Sequence, residues 1–276
     1  MSARAKAAAA NAQAPHLRRH TRVFAPLLLA LAALAWLTLW AWSASPWGRY
    51  LEHGDWTASG PAAALCRALP AGDIVVPLLL YAASWILMTA AMMLPTTLPL
   101  FDAFDRLSAG RPDHARLLSL LGLGYMGAWG VFGIAAHGLH EGLLALLAQS
   151  PQLAWNGWIV GAAVIAVAGA FQFSRLKYAC LDRCRSPLGF VMAHWRGRAH
   201  GRQALLLGLH HGAYCVGCCW ALMLLMFAVG AGSLGWMLVL AAIMAIEKNT
   251  PWGRRLGKPL GVALLAWSAL LVASHA

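Results

Sequence analysis

Ala204-LLLGLHHGAYCVGCCWALMLLMF-Ala228 runs without one Asp, Glu, Lys or Arg. A stretch of that length and character spans the ~30 Å hydrocarbon core of a bilayer as a helix. Six further stretches read the same way, at 24–42, 74–98, 117–136, 155–174, 234–247 and 259–274. The sequence therefore predicts an all-α fold, a polytopic transmembrane helix bundle of about seven spans. The stretch 234–247 is short before Glu247, so it is expected to start inside the turn 228–233, to tilt, or to sit where the bilayer thins.

Composition agrees with this reading. Apolar residues make up 61% of the 276-residue chain and charged residues 11%, against about a quarter charged in ordinary soluble domains. Arg18, Arg19 and Arg22 precede the first apolar run as in a signal peptide, but the run is as long as a full span and others follow, which predicts a retained helix. The expected organisation is a basic, Ala-rich cytoplasmic tail over 1–22, partly disordered, and a transmembrane helical domain over 23–276.

The net charge of +12 lies in short loops. Five basic residues precede the first span, and the loops at 106–116, 175–203 and 248–258 hold three, seven and four. The intervening loops hold only Arg49 and Arg67. By the positive-inside rule this alternation puts the N-terminus in the cytoplasm and the C-terminus outside. It also explains the charge through topology and contact with anionic lipid, with no nucleic-acid partner. Gly157 with Gly161, Gly208 with Gly212, and Gly253 with Gly257 and Gly261 recur at the four-residue spacing that lets helix backbones approach closely. No internal repeat is legible.

The opening stretch also carries the chemistry. On a helix, His211, Cys215, Cys218, Cys219, Leu222, Met223 and Met226 share one broad face, with Cys215 about 18 Å into the helix from Gln203. His210 is adjacent, but His211 has the better phase. Cysteine and methionine often only fill cores, yet three thiols in five residues one turn from imidazole form a ligand stripe rather than packing. A second surface comes from Met88, Met92 and Met93, with Trp85 and with Pro95, which removes a backbone donor and either frees carbonyls for a site or kinks the helix. Thioethers beside thiols select a soft ion, Cu(I) before zinc or iron.

Just past the fourth span, Cys180 and Cys184 are expected to stack one turn apart, with Lys177, Arg183 and Arg185 favouring their thiolates. Glu247 and Lys248 read either as an interfacial ion pair or as a carboxylate, Glu247, turned into the bundle mouth to gate or bind a cation, which makes Glu247 a further metal candidate. His137, His140 and Glu141 sit at i, i+3 and i+4 and form a weaker external candidate, and Cys66 stands alone in an external loop. No phosphate-binding loop, nucleophile elbow or zinc-protease helix is present, so the reading is a binding protein before an enzyme.

Over about 80–260 the chain resembles a bacterial family of predicted metal-binding integral membrane proteins. The likeness rests on Met88-Thr-Ala-Ala-Met92-Met93-Leu-Pro95, on Lys177-x2-Cys180-x3-Cys184-x2-Pro187, on Gly208-x2-His211-Gly212-x-Tyr214-Cys215-x-Gly217-Cys218-Cys219-Trp220-x-Leu222-Met223, and on Glu247-Lys248 before Pro251. Gly232 and Ser233 stand where similar sequences carry Met-Asn. The resemblance implies metal binding within the bacterial cytoplasmic (inner) membrane. The expectation is thus a multi-pass protein that holds or passes copper, with first ligands from His211, Cys215, Cys218 and Cys219. Met88, Met92 and Met223 would be softer way-stations, and Cys180 with Cys184 would exchange metal with a cytoplasmic carrier; a periplasmic carrier and an oligomer are compatible with it. Two rival readings are a thiol-disulfide enzyme cycling Cys215, Cys218 and Cys219, and a metal-free assembly partner.

Overall fold

The computed structural model describes residues 26–45, 72–149, 157–196, 199–229 and 233–275. The tail 1–22, Cys66 and Gly232 lie outside the described residues. Ten α-helices and no strand occur among the described residues. They are α1 (Pro26–Ser43), α2 (Gly72–Met93), α3 (Leu98–Ser108), α4 (His114–Ala148), α5 (Gly157–Phe171), α6 (Arg175–Cys184), α7 (Pro187–His194), α8 (His200–Val229), α9 (Leu234–Asn249) and α10 (Gly257–His275). Each expected span is helical over its described residues, apart from the turns at 94–97 and 172–174. Four helices are long and apolar enough to cross a membrane by themselves, and six spans result if two bent pairs each count as one.

The bends have local causes. Pro95 cannot donate to the carbonyl of Ala91, and Trp36 Nε1 donates to that carbonyl instead at 3.1 Å, which fastens α1 to α2. The chain passes through a short 3₁₀ turn, Pro95–Thr97, and turns by 48° into α3. Thr96 and Thr97 hydroxyls donate to the carbonyls of Met93 and Leu94, both at 2.8 Å, so the opened turn keeps its acceptors satisfied. Between α5 and α6 the bend is 66°, and Ser174 caps the new helix by accepting from the Leu176 N–H. The helix at the stretch 234–247 extends to Asn249 yet has only 16 residues, about 24 Å of rise, and remains shorter than a hydrocarbon core.

The central contact is α4 against α8. A Cβ on Gly124 would come within 2.1 Å of the Leu205 carbonyl oxygen, and one on Gly208 within 2.0 Å of that of Leu121. Gly212 lies in the same way against Tyr125 and Ala128. Backbone touches backbone along this seam, as the Gly208 and Gly212 spacing predicts. Gly261 packs on Gln172 and Phe173, again as expected. Gly161 does not: nothing lies within 4 Å of its missing Cβ, and Gly169 makes the close approach between α5 and α10 instead.

Large apolar side chains cover the outside. Val131, Leu123, Leu139 and Leu270 are each more than 60% exposed. Inside, one core contains Tyr81, Trp85 and Trp129 with the cysteines and methionines, and a second, around Phe101, Phe104, Leu121 and Phe190, lies where α3 and α7 pack on α4 and α8.

Candidate metal centre

The face predicted on α8 is buried along its length. His211 is 3% exposed, and Cys215, Cys218, Cys219, Leu222, Met223 and Met226 are each 1% or less. His210, one residue out of phase, is exposed and its ring meets His194. Because the close α4–α8 seam removes the Gly208 and Gly212 side of α8 from the interior space, the sulfur-bearing side is free to face α6 and α9.

Sulfur converges there from several elements. The Cys218 and Cys219 thiols donate to the Cys215 carbonyl at 3.1 and 2.9 Å, which holds both side chains back along their own helix. Cys184 Sγ reaches across from α6 to within 4.0 Å of Cys218 Sγ. Cys180 Sγ lies against Gly217, where an added Cβ would come within 2.7 Å of it. Cys180 and Cys184 therefore both face α8, in one group with its thiols. The methionines follow: Met88, Met92, Met93, Met223, Met226, Met237 and Met244 are all buried in the same core. Met237 and Met244 project from α9 and escaped the sequence reading. Their seven-residue spacing, which brings both to one helix face, was the available signal.

Glu247 and Lys248 are not an ion pair with each other. Glu247 Oε1 accepts from Lys177 Nζ at 2.7 Å, both side chains being buried, and Lys177 also donates to Gln172. Lys248 turns the other way, with its Nζ 3.0 Å from Cys215 Sγ and 3.8 Å from Cys219 Sγ. Met93 Sδ and Thr96 Oγ1 each stand 3.5 Å from the same ammonium. Adjacent helical residues point about 100° apart, which is why neighbours in sequence serve different partners. Tyr125 OH completes the surroundings of Cys215 at 3.0 Å.

The expectation that Lys177, Arg183 and Arg185 attend the α6 thiols is corrected by these contacts. Lys177 is committed to Glu247, Arg183 lies over the Tyr214 ring, and Arg185 donates to the Glu247, Thr250 and Pro251 carbonyls at the end of α9. On α4, His137 stacks on the core residue Tyr81 at 4.2 Å between ring centres and is 3.9 Å from Glu141.

No group of three His, Cys, Asp or Glu side chains among the described residues already stands in a geometry that holds a metal. The donor types nonetheless fit a soft ion. Thiols and thioethers dominate, and His211 Nδ1 is buried without a hydrogen-bond partner. The 4.0 Å between Cys184 and Cys218 is slightly less than two metal–thiolate bonds of ~2.3 Å laid end to end.

The model of the PpoB2 family, described as copper chaperone, matches residues 82–271. The chain belongs to that family. Comparison with curated proteins and with solved structures finds no match. The PpoB2 match takes in α2 from its third turn through nearly all of α10, so every cysteine and methionine of the sulfur core lies within it. Membership in the PpoB2 copper chaperones supports copper handling and bears out the expected kinship with a metal-binding family.

Proposed function

We propose that this protein is a multi-pass copper chaperone of the bacterial cytoplasmic membrane that takes Cu(I) as cargo into the sulfur core of its helix bundle. The observation that carries the reading is the burial of Cys215, Cys218 and Cys219, with half-buried Cys184 reaching them from a second helix, beside seven buried methionines in a copper-chaperone family member. Buried thiols close to one another capture a soft cation, and thioethers hold it more weakly, so an ion can move by steps rather than remain trapped. In this reading Cys215, Cys218, Cys219 and Cys184 are the main ligands, with Cys180 and His211 at the margin. Met88, Met92, Met93 and Met223 are the weaker stations, and the thiols of α6 receive or hand over copper at the cytoplasmic side.

The test is elemental analysis of reduced protein purified in detergent after exposure to copper, zinc and iron, alongside a Cys215→Ser, Cys218→Ser, Cys219→Ser variant. Retention of copper in preference to zinc and iron, lost in the variant, is expected. Equal metal in both proteins overturns the proposal.

One contact favours a second reading, thiol-disulfide exchange. Cys184 and Cys218 bring thiols from two helices to 4.0 Å of each other, whereas the thiol of Cys218 in its own helix donates to the Cys215 carbonyl. A Cys184–Cys218 disulfide accumulating under mild oxidant in a protein that binds no copper would support that enzyme class instead.

A further inference from the structure

Lys248 presents a charge problem. Its ammonium is buried, and among the described residues no carboxylate is within ion-pair distance of it, since its sequence neighbour Glu247 is taken by Lys177. A buried cation without a counter-charge is strongly unfavourable, so with no carboxylate at hand a sulfur beside it has to supply one. The groups around Nζ are Cys215 Sγ, Cys219 Sγ, Met93 Sδ and Thr96 Oγ1, from two segments of the chain far apart in sequence. Three sulfurs and an oxygen around a positive charge are the donor set for a soft monovalent cation, with the ammonium in its place.

We propose that Lys248 is a tethered surrogate cation: its ammonium holds the sulfur cage together in the absence of copper, Cu(I) enters by displacing it, and it returns as Cu(I) leaves. This rests on the copper-chaperone reading and adds the way in which cargo is released. In the exchange Cys215 is a thiolate throughout, so its sulfur trades a hydrogen bond from the ammonium for a bond to Cu(I) and no proton is released. One monovalent cation replaces another, the lysine keeps its protons, and no electron is transferred. The net charge inside the bundle stays constant, which avoids leaving an uncompensated anion in an apolar interior when the ion departs. A divalent ion would add a charge that nothing in the cage balances, so the exchange favours Cu(I). The side chain has somewhere to go. Lys248 is one residue from the end of α9 at Asn249, which is exposed, and a four-carbon stem reaches the rim of the bundle from there.

Two measurements on reduced, detergent-purified full-length protein test the exchange. In the first, Lys248 is labelled with an amine-reactive reagent and quantified by peptide mass spectrometry with and without bound Cu(I). At least fivefold more labelling in the copper-loaded protein is expected, and equal labelling at full copper occupancy overturns the proposal. In the second, the rate of Cu(I) transfer to a chelator is compared between wild type and Lys248→Leu, which removes the charge without adding a sulfur ligand to the cage. Unchanged copper stoichiometry with release at least tenfold slower is expected, and release at the wild-type rate overturns it. Should Lys248→Leu fail to fold, the labelling of the wild type decides alone. A wild type that takes up no copper defeats the chaperone reading and this inference together, whereas copper uptake with Lys248 unaffected defeats this inference only.

Discussion

Lys177 and Glu247 form the clearest energetic feature at the scale of single residues. Both side chains are buried, they meet at 2.7 Å, and they tie α6 to α9. Removing one partner leaves the other charge without compensation in an apolar interior, a loss of about 3–5 kcal/mol, while replacing both with apolar groups of like volume recovers most of it. Glu247→Leu is therefore expected to lower the thermal midpoint of the purified protein sharply, and Lys177→Met with Glu247→Leu to restore it toward wild type, as read by a detergent-state melting curve. Equal destabilisation by the single and double variants would show that the pair is not a closed unit. The sequence showed that Glu247 was either interfacial or turned inward. It did not show Lys177 as its partner, because the two are seventy positions apart and only the bend between α5 and α6 brings them together.

At the scale of elements, the same glycine has opposite consequences according to what its helix faces. Gly208 has no room: its Cβ would intrude on the Leu121 carbonyl, so Gly208→Ala must push α4 from α8 and disturb the helix that carries Cys215, Cys218 and Cys219. Overpacking of this kind costs about 1–3 kcal/mol. Gly161 faces open space within α5, so Gly161→Ala is expected to be neutral or to stabilise by up to about 1 kcal/mol through helix propensity. Thermal melts of the two variants, measured side by side, check the contrast, and a similar loss in both would contradict the seam described for α4 and α8. These elements differ in how far they were legible. The apolar runs and the phase of the α8 ligands follow from local pattern alone, since burial obeys helical periodicity. The bends after Met93 and Phe171, the approach of Cys184 to Cys218, and the arrival of Lys248 at Cys215 depend on packing between distant segments, for which one sequence carries no local signature.

For the whole molecule, the directions of the helices bear on topology independently of the charges. Contacts along α4 and α8 rise together, from Leu121 with Gly208 to Ala128 with Gly212, so the two helices run parallel. Tyr81 OH donates to the Gly133 carbonyl and Trp85 Nε1 to that of Trp129, so α2 runs antiparallel to α4. Ser268 on α10 meets Ala162 on α5 while Leu265 meets Gly169, a second antiparallel pair. These relations are those required if spans alternate direction in the order the loop charges predict, with the third and fifth leaving the same side and the second and seventh opposed to their partners. The helix directions carry no absolute sense; the basic residues supply it by favouring the cytoplasm. On the seven-span reading an odd number of spans separates the two termini, and that reading counts α9, which lies outside the four to six spans of sufficient length and whose rise of about 24 Å is short for a full crossing. A fluorescent protein that matures only in the cytoplasm, fused to the C-terminus, is expected to remain dark, and an alkaline phosphatase fused at the same point to be active. The reverse pair of results would mean that α9 returns to its side of entry or that the whole bundle is inverted. A phosphatase fusion in the loop before Leu234 separates those two cases. Activity there with an inactive C-terminal fusion identifies α9 as the helix that does not cross.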